Sequence, residues 1–273
     1  MSLHIQYSKQ IAKELGKIAV YFPGEDIKVG DVIIFPDGKK GIFQKAVPWG
    51  NSERITTLDK LEVPFKKREP SPNLHTYKFS TKNSVDVNFE LSGDADLGNP
   101  DLPAVDANLS IKFKSEGSIY FLAVDCQESS IEDILELESQ VKSESDLIWK
   151  NDAFLVTSVT VAKKALIMQA NSKGSELVIG GNVQGLKSGT VNISADTNIQ
   201  VKRQRGSSFI KDWSDNVTVF IEVMKMEKEV FGDTKSLDFE SGIPTENTDN
   251  IEKKLVLKNI DISEYLKIRQ ENK

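Results

Sequence analysis

A chain of 273 residues, 38% hydrophobic and 28% charged, has the composition of a packed globular protein and not that of a disordered one. Its 35 basic and 41 acidic residues give a formal charge of -6, which opposes general attraction to polyanions, so no nucleic-acid partner is expected and any anionic surface must be met locally. No apolar run approaches the roughly 18 residues of a spanning helix and no basic, then apolar, start marks a secretory leader; with Cys126 the single cysteine, a reducing, cytoplasmic setting is expected.

In chain order, Met1 to Leu3 are set aside as a possible leader, and Ser8 to Gly16 read as a short helix. Ser8 is placed to cap it, Ile11, Ala12 and Leu15 make an apolar stripe, and Gly16 suits its end. Lys9, Lys13 and Lys17 recur every four residues, a spacing that stacks them on one helix face as a basic ridge, either solvated or facing anionic lipid. From Lys17 to Phe65 the pattern changes to short apolar runs, IAVYF, DIKVGDVIIF and GIFQKAV, separated by turn signals, as in strands joined by tight turns. The charged, proline-containing stretch from Lys66 to Asn73 reads as an exposed connection.

In VDVNFEL, Val85, Val87, Phe89 and Leu91 alternate with Asp86, Asn88 and Glu90, the period of a half-buried strand. The alternation resumes after GDADLGNPDLP with Val105, Ala107, Leu109, Ile111 and Phe113 opposed by polar residues, so the two segments predict a long hairpin. Val191, Ile193, Ala195, Ile199 and Val201 repeat the pattern. Between them, Ser129 and Glu132 have capping-box spacing ahead of a helix expected from about Ser130 to Ser143, with Ile131, Ile134, Leu135, Leu137 and Val141 on its apolar stripe. The run FLVTSVTVAKKALIM, Phe154 to Met168, is apolar on both sides of the alternation and belongs at the centre of a sheet; VTVFIEVMKM, Val217 to Met226, closes the main body. The chain thus divides into a body over 1–226 and a linker and tail over 227–273, where Leu255, Leu257, Ile260, Ile262, Leu266 and Ile268 dock a strand and a short helix.

Chemistry-bearing clusters are sparse. His4 and His75 are the two histidines, too few for a multi-histidine metal centre, and Cys126 reads as a core residue in preference to a nucleophile beside His75. The acidic loop with Asp94, Asp96, Asp101 and Asp106 lacks the residue order of an EF-hand, and the glycines of GSELVIGGNVQGLKSG mark turns, not a dinucleotide fingerprint. Lys202, Arg203, Arg205 and Lys211, with Phe209 and Trp213, mix basic and aromatic groups near a hairpin turn. No catalytic residue, metal or cofactor is assigned, and an enzyme is not expected.

The order of these elements resembles the pore-forming region of the gasdermin family, particularly its compact bacterial members. The matching features are the early short helix, the DIKVGDVIIF strand pair, the alternating hairpin at 77–114, the helix at 130–143, FLVTSVTVAKKALIM, the alternating region at 177–204 and VTVFIEVMKM. A lipid-modified cysteine close to the N-terminus, part of the bacterial pattern, is missing, since Cys126 is the only cysteine. The resemblance implies a mixed α+β fold, mainly antiparallel, with long hairpins, one covering helix, and a C-terminal segment that keeps the body inactive until proteolysis. The released body would then self-associate on an anionic membrane, with Lys9, Lys13 and Lys17 touching lipid. Val105 to Lys114 and Val191 to Lys202 have the roughly 9 to 11 residues and the apolar side of a membrane-spanning strand, but the same pattern describes a sheet packed on a core. A binding or scaffold module with an extended sheet surface therefore stays open, as does an enzyme built from scattered carboxylates.

Overall fold

The computed structural model describes residues 2–21, 26–38, 46–91, 107–144, 153–181, 183, 199–231 and 252–267. Its centre is β8 (Phe154–Ala170), which runs antiparallel to β11 (Ser207–Phe231) along one side. Along its other side, β8 pairs with β2 (Asp31–Ile34) at its beginning and with β7 (Ile119–Ser130) over the rest. β1 (Ile18–Ala19) and β12 (Glu252–Asn259) both lie on β11, β3 (Glu53–Thr57) lies on β2, and β4 (His75–Ser80) lies on β7. The central placing of FLVTSVTVAKKALIM follows from its chemistry: a strand apolar on both faces is stable only when both are covered.

A second antiparallel sheet holds β5 (Val85–Leu91), β6 (Ala107–Phe113), β9 (Glu176–Gly181) and β10 (Ile199–Arg205) in the order β10-β9-β6-β5. The expected pairing of VDVNFEL with the next alternating segment is seen in full register, from Val85 opposite Phe113 to Leu91 opposite Ala107. The molecule is α+β and mostly antiparallel, as the sequence predicts.

Alternation along β7 reveals three layers. Ile119, Phe121 and Ala123 pack with Tyr7 and Ile11 of helix α1 (Leu3–Leu15), whereas Tyr120, Leu122 and Val124 pack with Leu109, Ile111, Leu177 and Ile179 of the second sheet. Successive strand residues point to opposite faces, so the central sheet lies between α1 and the hairpin sheet. A third cluster at the open end gathers Val32, Ile33, Phe154, Leu155 and Val223 beneath α2 (Ile134–Glu144), which contributes Leu137 and Val141. Gly30, at φ 92, makes this end possible: its amide donates to the Val156 carbonyl, and a Cβ there would lie 2.5 Å from the Phe65 ring.

Several sequence expectations are corrected. The first helix starts at Leu3, so Leu3 and His4 are structural and Ser8 is no cap; its buried hydroxyl donates to the His4 carbonyl and accepts from the Gly50 amide. Helix α2 begins at Ile134, because Ser129 and Ser130 still belong to β7 and Asp133 supplies the cap, its carboxylate accepting from the Glu136 amide at 2.9 Å. Leu135, placed on the apolar stripe, is 79% exposed. The end of GIFQKAV at 46–47 is not a strand, and β11 starts well before Val217 and runs past Met226 to Phe231.

Candidate functional site: the hairpin sheet and the docked tail

The residues that the sequence singled out fall on two surfaces. Of those on the alternating segments, Ala107 lies in β6, and Leu109, Ile111 and Phe113 of that strand are buried. Ile199 is buried and Val201 half-buried on β10. All five described side chains face the central sheet. Val105, Val191, Ile193 and Ala195 lie outside the described residues, as do Asp94, Asp96, Asp101 and Asp106. Outward-facing positions of the same strands carry Asp86, Ser110, Lys112, Glu176, Arg203 and Arg205, tied by Lys114–Asp86 at 2.7 Å and Arg203–Glu176 at 2.7 Å. The hairpin sheet is therefore amphipathic across its thickness. Its ladder is also separate from that of the central sheet: among the described residues, every strand pairing of β5, β6, β9 and β10 is to another of the four. Adhesion to the central sheet is through apolar contact.

The second surface is where the tail meets α1. β12 extends the sheet on β11, from Met224 opposite Asn259 to Phe231 opposite Glu252. Helix α3 (Ile262–Lys267) follows it and turns back beside α1. Leu257 is buried in the cluster with Ile221 and Val223, Ile260 and Ile262 pack against that cluster, and Leu255 lies in β12 opposite Lys228. Leu266 lines a cleft of about 520 Å³ between α1 and the tail, whereas Ile268 lies outside the described residues. The expected docking of a strand and a short helix on the body is what the fold contains.

The lysine ridge is shorter than its spacing predicts. Gly16 ends α1 in the left-handed conformation, φ 65, with its amide donating to the Ala12 carbonyl, so Lys17 lies beyond the helix and only Lys9 and Lys13 share its face. Lys17 instead reaches the Glu222 carboxylate at 3.5 Å. Lys13 and Lys17 both line the cleft beside the tail, with Asp261 and Ser263 across from them. Glu222, Asp261 and Glu176 carried no sequence signal, since partners brought together by strand register cannot be picked from 41 acids.

Cys126 pairs in register with His75, yet its side chain is fully buried, and burial together with the Asp125 carboxylate pushes its thiol up to about 12. That is the reverse of what a thiolate nucleophile needs. Burial also raises the Tyr7 and Tyr120 phenols. Among the described residues no group of three or more His, Cys, Asp or Glu is placed to hold a metal ion, and no helix is long and apolar enough to cross a membrane.

A cryo-EM structure of the gasdermin A3 membrane pore is similar to this chain. The match spans 85% of this chain and 92% of that one, at 12% identity and a TM-score of 0.32. No family model and no curated protein matches the sequence.

Proposed function

We propose that the protein is a non-enzymatic, cytoplasmic pore-former, held inactive by its tail and activated by cleavage between residues 232 and 251, after the end of β11. The observation that carries this reading is the independence of the hairpin sheet. Among the described residues its strands pair only with one another, so it can leave the central sheet without opening that sheet's ladder, and the surface it would then expose is an apolar face suited to lipid. The tail supports the reading in a second way. It lies beside the end of α1, where Lys13 lines the cleft, so its release would uncover Lys13 for an anionic membrane, with Lys17 staying on Glu222, while baring the edge of β11 for self-association. Arrest by the tail and activation by proteolysis are the proposal's own steps.

One observation favours the other reading, a binding or scaffold module. Leu109, Ile111, Leu177 and Ile179 are fully buried, as in an ordinary sheet packed on a core. Dye release from anionic liposomes separates the two, using intact protein and protein cut between residues 232 and 251, with circular dichroism confirming that the cut body stays folded. Leakage only after cutting is expected. A folded, tail-free body that releases no dye from any lipid mixture sinks the pore reading in favour of the scaffold.

A further inference from the structure

The outer face of the hairpin sheet carries a cleft of about 380 Å³ lined by Lys112, Gly174, Glu176, Arg203 and Arg205. Strand register builds it: Lys112 of β6 and Arg205 of β10 both lie opposite Glu176 of β9, and Arg203 lies two residues further along, opposite Val178. Glu176 is the brace. Its mostly buried carboxylate accepts from the Ser110 hydroxyl at 3.2 Å and from the Arg203 guanidinium at 2.7 Å, with the Lys112 ammonium 3.8 Å away. Among the described lining residues, three cations stand around one carboxylate, an excess of two positive charges in a chain of net charge -6. Among the described residues Arg205 has no ion pair; it is exposed and lines the cleft.

We infer that this cleft is a binding site for a phosphate group, gripped by Arg205 and Lys112 beside an Arg203 already oriented by Glu176. Planar guanidiniums on neighbouring outward positions of one strand match the oxygens of a phosphate better than isolated lysines do. The brace holds one arginine in place before binding, which lowers the cost of ordering it. A free phosphate ester and a phospholipid headgroup present the same chemistry. The site stands on the cleft alone, whether or not the protein makes pores.

Titration calorimetry of the full chain with inorganic pyrophosphate, beside sedimentation with phosphatidate-containing and neutral vesicles, tests it. Saturable pyrophosphate binding is expected, weakened about tenfold or more in Arg205→Gln through loss of a charge-assisted contact. The Lys66→Gln, Lys67→Gln, Arg68→Gln triple variant, which removes an exposed basic cluster elsewhere, should bind as the parent does. Sedimentation with phosphatidate vesicles that pyrophosphate competes away assigns the ligand to a headgroup; pyrophosphate binding without sedimentation assigns it to a soluble phosphate. No saturable binding of either probe, or equal binding by Arg205→Gln, overturns the site, as does an equal loss in the triple variant.

Discussion

Leu257→Ala is the sharpest probe of whether the tail is a separable latch. Leu257 is 5% exposed and lies opposite Met226, packed with Ile221, Val223 and Met224. Truncation removes three carbons, about 2.4 kcal/mol at ~0.8 kcal/mol per buried methylene; a residual cavity adds to this and relaxation of the edge strand subtracts from it, leaving about 2–3 kcal/mol. If the tail opens as its own unit, that loss falls on the local opening equilibrium. Amide exchange in 224–231 and 252–259 then speeds up by about 30- to 150-fold, at ~1.4 kcal/mol per factor of ten, while exchange along β8 and the denaturant midpoint hardly change. Native-state hydrogen exchange read by mass spectrometry resolves these segments. A fall in global stability of the full amount, with the tail protected as strongly as β8, would show that β12 is part of the cooperative core and refute the latch.

Other expectations follow from local geometry. Gly30→Ala combines a left-handed φ of 92 with a Cβ 2.5 Å from the Phe65 ring, and should lower unfolding stability by about 2–3 kcal/mol, read from denaturant melts; a loss under about 0.5 kcal/mol would mean the Phe65 ring simply moves aside. Cys126, with its thiol pushed up to about 12 from 9.0, stays protonated in the fold while the unfolded chain releases its proton. Stability is therefore undiminished below pH 9 and falls as pH rises from 9 toward 12, by up to ~1.4 kcal/mol per pH unit for this proton. Cys126→Ala should flatten the first part of that decline, and an unchanged alkaline melt would contradict the assignment. Lys13→Gln, on an exposed side chain lining the tail cleft, should leave the melting temperature alone and weaken anionic-vesicle binding of the cut protein, with no effect on neutral vesicles. Equal binding by the variant would remove Lys13 from the membrane contact.

Alternation and apolarity made the sheet strands legible. VDVNFEL and its partner pair as expected because one apolar face fixes the register, and Phe154 to Met168 could only be central. Element ends were less legible because they depend on tertiary bonds. Ser129 and Ser130 have a helix cap's chemistry, yet they continue β7 because β8 offers them partners at Val159 and Ser158. Ser8 has the same chemistry and is drawn into α1 by the bond to Gly50. The basic ridge failed at Lys17 because a single left-handed glycine stops the helix periodicity one residue earlier. The cleft on the outer face of the hairpin sheet was legible only in part: Arg203 and Arg205 stand out as a basic cluster, but Lys112 and Glu176 are far from them in the chain and join them only through the order β10-β9-β6.

Energetics also decide when the hairpin sheet can leave. Leu109, Ile111, Phe113, Leu177, Ile179 and Ile199 are buried against the central sheet, and at about 1.5–3 kcal/mol each, moving them into water would cost on the order of 10 kcal/mol or more. The described tail residues pack elsewhere: Leu257, Ile260 and Ile262 belong with the cluster beneath α2, β12 lies on β11 and α3 lies beside α1. Cutting the linker therefore removes the latch without loosening the hairpins, and only an apolar medium offsets the loss of core contact. Cut protein in solution should keep slow amide exchange throughout β6 and β9 and lose it only when anionic vesicles are added. Fast exchange in those strands on cutting alone, with no lipid present, would mean that the tail holds the hairpins directly, by a route that the packing does not contain.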